Sequence, residues 1–250
     1  MRRVLGADAP QAAVDALVTE MFTSYGRYWA EVFWYRPRRA SRILRSIEVV
    51  NLDAVVAAHD AGRGLVLGVV HAGNWDVAGL VARDLGLRLL AVAEDLPNRR
   101  ITDWFVQTRQ ALGIEVLLTG GGAETTARLL RHLRSGGAVA LLSDRDVVGN
   151  GVPVTFFGEE TRLPAGAAAL ADRTGAALFP VAPFFAPGSG YRMVVRPELP
   201  LPDLPDRRAR VQAGTQALAG EMETLIRSAP GQWHLFQPNW PSDPGWGESR

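Results

Sequence analysis

The chain opens on a helical period. From Ala12 onward Val14, Leu17, Val18, Met21, Phe22, Tyr25, Tyr28 and Trp29 recur at spacings of three and four; Phe33, Trp34 and Tyr35 follow, and Pro37 stops the run. Asp8 and Pro10 stand ahead of it as an N-cap and a first-turn proline. The pattern predicts one helix with a wide aromatic stripe. Aromatic rings suit a buried packing face and also an acyl-chain groove or interfacial face, and the stripe alone leaves both open.

Past residue 60 the period changes. Short apolar runs occur at Leu65–Val70, Leu87–Ala93, Ile114–Leu118, Ala138–Leu142, Val152–Phe157, Ala177–Val181 and Tyr191–Val195. Helical patterns alternate with them near 75–84, 98–112, 123–134, 163–174 and 207–228, the fourth expected to start over Thr161 to Ala165 with Pro164 in its first turn. Strands alternating with helices predict a largely parallel central sheet flanked by helices. The Pro- and Asp-rich stretch 197–206 reads as a loop, and the tail from Pro230 as irregular. The expectation is a single α/β domain over 1–250, with a helical N-terminal part over 1–60 and an α/β core over 61–240.

Composition narrows the chemistry. The chain has no Cys and no Lys, which excludes disulfides, thiolate ligands, a cysteine nucleophile and a lysine Schiff base. His59, His71, His132 and His234 are too few for a zinc site built mainly on imidazole. The formal charge of +1, from 27 basic and 26 acidic residues, gives no support for a nucleic-acid binder. The charge is uneven, however. Arg36, Arg38, Arg39, Arg42 and Arg45 fall within ten residues, as a solvated face or as a contact for anionic headgroups or substrate phosphates. No apolar run is long enough to cross a bilayer as a helix, and the residues after Arg2 and Arg3 do not read as a signal peptide.

Polar residues collect after the predicted strands: His71 after the first, Glu94 after the second, Asp144-Arg145-Asp146 after the fourth. That edge is where open α/β sheets bind ligands. In His71-Ala72-Gly73-Asn74-Trp75-Asp76 the histidine leaves a strand, Gly73 permits a tight turn, and Asp76 falls in the first turn of the next helix. The spacing lets the carboxylate reach one imidazole nitrogen and leaves the other to accept a proton. A structural histidine beside an N-terminal helix acid accounts for the same spacing.

This hexapeptide resembles the His-x4-Asp/Glu signature of the lysophospholipid-acyltransferase superfamily, and its Asn-Trp pair resembles the branch of the bacterial lipid A late acyltransferases. Further likenesses follow in order: Ala93-Glu94; Arg109 ahead of Leu112-Gly113; Ser143-Asp144-Arg145-Asp146 with Gly149, then Val154-Thr155-Phe156-Phe157-Gly158; Pro164-Ala165-Gly166; and Gly231-Gln232-Trp233-His234 with Gln237-Pro238. The resemblance spans roughly residues 5 to 240. It implies a glycerolipid-acyltransferase-like fold and an O-acyltransferase that takes acyl-CoA as donor and needs no cofactor or metal. The implied acceptor is a mannose hydroxyl of a mannosylated phosphatidylinositol; a lipid A-type glycolipid, or an inactive lipid-binding protein, is the alternative. His71 is implied as general base and Asp76 as its orienting carboxylate. Glu94, Arg109, Asp144, Arg145 and Asp146 are implied to line the substrate site, with Asp144 or Asp146 also placed to support His71. A rival reading of the Asp-x-Asp pair is a hard-cation chelate, which thioester transfer does not need. The resemblance further implies a peripheral partner in the anionic cytoplasmic face of the cell membrane, and an N-terminal amphipathic or apolar segment that this chain would lack.

Overall fold

The computed structural model describes residues 1–93, 97–118, 122–146 and 149–247. The strands are β1 Ile47–Val50, β2 Leu65–Val69, β3 Leu89–Ala93, β4 Ile114–Leu118, β5 Ala138–Leu142, β6 Val152–Phe156, β7 Glu159–Leu163, β8 Ala177–Phe185 and β9 Tyr191–Val195. The helices are α1 Arg2–Leu5, α2 Gln11–Trp34, α3 Ala40–Leu44, α4 Asp53–Asp60, α5 Ala78–Asp84, α6 Arg99–Ala111, α7 Gly122–Arg134, α8 Gly166–Thr174 and α9 Arg207–Ser228. Seven strands form one sheet in the order β1-β9-β8-β2-β5-β3-β4. β8, β2, β5, β3 and β4 are parallel, β9 runs antiparallel to β8, and β1 lies parallel to β9.

Period-two alternation sorts each strand's side chains to two cores. Leu65, Val69, Phe179 and Ile114 pack with α4 and α5 on one face. Val66, Val139 and Leu178 pack with α8 and α9 on the other. Each buried Leu or Phe contributes about 2–3 kcal/mol against an exposed one, so the two-sided burial fixes register as well as layer.

Four local expectations change. β1 and α4 precede the first predicted strand; the adjoining arginine run masks them in sequence. Val152–Phe156 is not in the main sheet but pairs antiparallel with Glu159–Leu163. Its turn residues Phe157 (φ 51) and Gly158 (φ 78) both take positive φ, as a two-residue primed turn requires. The cost to Phe157, about 1 kcal/mol or more, is offset by burying its ring against Phe156 and Trp233. Thr161, predicted to open a helix, therefore lies in β7, and α8 begins only at Gly166. Finally, Pro10 rather than Asp8 takes the N-cap position of α2, without a side-chain cap bond.

Candidate active site

β2 and β5 are neighbours in register, Val69 beside Leu142. Two residues further, beyond both strand ends, the same register sets His71 beside Asp144 on chains about 4.8 Å apart. The Asp144 carboxylate is fully buried. Its Oδ1 lies 2.6 Å from His71 Nδ1, and its Oδ2 accepts from the His71 backbone N–H at 3.1 Å and the Trp233 indole N–H at 2.7 Å. Burial by itself would raise this carboxyl, but the charge of His71 and the three donors outweigh it and hold the pKa down at about 2. An ionised carboxylate only accepts, so Nδ1 keeps a proton toward Asp144, and in the neutral imidazole Nε2 is the nitrogen left with the lone pair.

Asp76, expected from the spacing to face His71, is turned elsewhere. Its Oδ1 accepts from Arg109 Nε at 2.7 Å and its Oδ2 from the Tyr28 hydroxyl at 3.3 Å. The cause is the turn between them. Gly73 takes φ +52, and a Cβ there would sit 2.1 Å from the Pro183 carbonyl oxygen. Asn74 then caps a short 3-10 turn over Trp75–Val77, accepting from the Asp76 N–H at 3.2 Å. Its amide donates to Glu31 on α2 at 2.8 Å. This winding carries Asp76 to α2 and α6, and the partner of His71 comes from the neighbouring strand instead.

The other predicted residues divide. Arg109 and Arg145 line the same cavity as His71; Arg145 also donates to Gln237. Asp146 lines it too, yet both its oxygens accept from its own loop, from Gly149 N–H at 2.9 Å and Gly151 N–H at 2.8 Å. The two carboxylates of the Asp-x-Asp pair are thus engaged by separate N–H donors, and among the described residues no three His, Asp or Glu side chains gather to hold a metal ion. Glu94 lies outside the described residues.

The C-terminal tail supplies what the sequence reading left out. Trp233 bridges antiparallel to Ala72, and the His234 N–H donates to the His71 carbonyl at 2.7 Å. Asn239 donates to the Asp144 carbonyl at 3.1 Å. His234 Nε2 lies 2.9 Å from Ser24 Oγ; burial first, then the charge of His71, lowers its pKa to about 4. The tail has no apolar period, and its sequence signal was the likeness over Gly231-Gln232-Trp233-His234 and Gln237-Pro238, which carried no role for Trp233 or Asn239.

His71 opens on a cavity of about 520 Å³ lined mainly by apolar side chains of one sheet face and of α2, α5 and α6. The aromatic stripe of α2 divides among three environments. Leu17, Met21, Tyr28 and Val32 are buried, Tyr25, Tyr28 and Trp29 line the cavity, and Phe22, Phe33 and Trp34 stay exposed together with Ile101 and Phe236. In the arginine run, Arg36 and Arg39 bond the last carbonyls of α2, at Phe33, Trp34 and Tyr35, while Arg36, Arg38, Arg42 and Arg45 remain exposed. Among the described residues no helix is long and apolar enough to cross a membrane.

Comparison with known proteins gives the family. A phosphatidylinositol mannoside acyltransferase of Mycolicibacterium smegmatis is 41% identical over 248 residues, 97% of this chain and 78% of that protein. Its counterpart in Mycobacterium tuberculosis is 39% identical over 246 residues, 97% of this chain and 76% of that protein. Among solved structures, a 1-acyl-sn-glycerophosphate acyltransferase of Thermotoga maritima aligns over 84% of this chain and 96% of its own, at 11% identity and a TM-score of 0.42, too distant to bear on the site. The profile of the bacterial lipid A biosynthesis acyltransferases matches residues 1–242. The chain therefore belongs to the bacterial lipid A biosynthesis acyltransferase family and is an acyltransferase.

Proposed function

We propose that the chain transfers a long acyl group from acyl-CoA to a mannose hydroxyl of a mannosylated phosphatidylinositol, with His71 as general base and Asp144 as the carboxylate that orients it. The reading is carried by one observation: the histidine whose Nδ1 is tied to a buried carboxylate stands over a large apolar cavity. Protein interiors are close-packed. Such a space is consistent with an occupant that is long and apolar.

The chemistry follows from the free lone pair. As the acceptor oxygen bonds to the thioester carbon, His71 Nε2 takes its proton. Asp144 then faces an imidazolium and stabilises it. The C–S bond breaks, the electron pair leaves on sulfur, and the same proton passes to the thiolate, giving free CoA and the ester. The acceptor is drawn from the relatives' named substrate. The exposed rings Phe22, Phe33, Trp34 and Phe236 and the exposed arginines of 36–45 are suited to contact with anionic lipid on the cytoplasmic side.

The test is to supply palmitoyl-CoA and mannosylated phosphatidylinositol to the purified chain and to His71→Ala, following free thiol and acylated lipid. Wild type yields both and the variant neither. Equal CoA release by the two proteins removes His71 as base. Transfer only to a lipid A-type acceptor changes the substrate, and lipid binding without transfer by wild type marks an inactive lipid-binding protein.

A further inference from the structure

Trp233 is pinned through both of its chain neighbours. The Gly73 N–H donates to the Gln232 carbonyl at 3.0 Å and the His234 N–H to the His71 carbonyl at 2.7 Å, so Gln232–His234 lies as a short strand along the turn that carries the base. The Gln232 side chain in turn pairs with the backbone of Phe185 at the end of β8, accepting from its N–H at 2.6 Å and donating to its carbonyl at 3.1 Å. A primary amide placed in this way copies the two bonds that a neighbouring strand would make.

The Trp233 ring packs among Phe156, Phe157 and Trp240. Packing accounts for the ring but not for where its one polar atom goes. The indole N–H donates to Asp144 Oδ2 at 2.7 Å, and the other oxygen, Oδ1, meets His71 Nδ1. The His71 backbone N–H reaches the same Oδ2 at the longer distance of 3.1 Å. An aspartate carboxylate turns readily about its last torsion, and a donor anchored to the strand beside the base stops that rotation. Trp240 is the contrast. It is also buried and stacks on Phe156, yet its N–H goes to the Phe156 carbonyl at 3.0 Å, away from the carboxylate.

We infer that Trp233 is a positioning residue of the acyl transfer: its indole N–H fixes the Asp144 carboxylate so that Oδ1 stays on His71 Nδ1 while the base takes up the acceptor proton. The inference rests on the acyl-transfer reading above. Trp233 does not line the cavity, so it acts on the rate through Asp144 and leaves donor and acceptor binding alone. Its bond also draws negative charge toward Oδ2. Without it the carboxylate holds the imidazolium more tightly.

The experiment compares Trp233→Phe with Trp240→Phe, since each removes one buried indole and its N–H. Denaturant unfolding is measured, and kcat and KM are followed against pH with palmitoyl-CoA and mannosylated phosphatidylinositol. Both variants lose comparable stability. Trp233→Phe alone lowers kcat, by about tenfold or more, at unchanged KM. Its acid limb of kcat/KM, which reports the dyad as a unit, moves up by about half a pH unit or more, because the carboxylate has one donor fewer. Tyr28, Asp76, Arg109, Arg145, Asp146 and His234 line the same cavity and are unaltered in both variants, so the difference between the two profiles belongs to Trp233. An acid limb at the wild-type pH in Trp233→Phe, or an equal shift in Trp240→Phe, overturns the role and leaves Trp233 as packing. If Trp233→Phe does not fold, benzothienylalanine at position 233, which keeps the bicyclic ring with sulfur in place of N–H, decides by the same acid limb. Wild type that transfers no acyl group removes the acyl-transfer reading, and the positioning role with it.

Discussion

Replacing Asp144 by Asn separates the two carboxylates near His71. The Asp144 Oδ2 site faces two donors, the His71 backbone N–H and the Trp233 indole N–H. An Asn amide group placed there would meet donors with donors, so the Asn oxygen takes that site. Its NH2 is then left 2.6 Å from His71 Nδ1, where it donates. The imidazole must accept at Nδ1 and carry its proton on Nε2, the nitrogen that should act as base. The side chain keeps its volume and most of its bonds, so stability falls by only about 1–2 kcal/mol. The wrong tautomer should lower kcat by about 10³–10⁴-fold with little change in KM. Steady-state assays measure the loss, and ¹⁵N imidazole shifts report the tautomer directly. A variant within tenfold of wild-type kcat, or one whose His71 still carries its proton on Nδ1, refutes the assignment of Asp144.

Other outcomes test neighbouring parts of the site. Arg109→Met leaves Asp76 buried without its cation and should cost about 3–5 kcal/mol in denaturant unfolding; adding Asp76→Asn should recover most of it, and additive losses would contradict the pair. The lowered pKa of His234 gives stability a pH slope. Below 6.5 the unfolded chain takes up a proton that the folded chain refuses until about 4, so stability is full above 6.5 and falls between those values, by about 3 kcal/mol. His234→Asn should flatten the slope; an unchanged slope means that His234 is not the source. Phe33→Ser with Trp34→Ser should weaken co-sedimentation with anionic vesicles about tenfold or more while leaving thermal unfolding within a few degrees; equal binding removes that face from membrane contact.

Periodicity exposed most of the sheet because a strand buried on both faces must be apolar throughout, as β2, β3, β5 and β8 are, while β4 and β9 break their apolar runs with one exposed charge each, Glu115 and Arg192. β1 was hidden because it is a half-buried edge strand next to charged residues. At the site, His71 was legible from its place after a strand. Its partner was legible only through the resemblance, as Asp144 or Asp146 in competition with Asp76, because the pairing depends on which strands adjoin in space: β5 follows β2 in the sheet but not in the chain. The local candidate Asp76 fitted the spacing, and only the winding of Gly73 and Asn74 decided against it. Trp233 and Asn239 reach the site from an aperiodic tail, where pattern reading has nothing to act on.

That tail gives the molecule a schedule. His71 is synthesised first, Asp144 later, and Trp233 and Asn239 later still. The groups that seat Asp144 are thus the last of the site to be made, and the His71–Asp144 pair acquires its full set of partners only when the tail docks against Ala72 and Asp144.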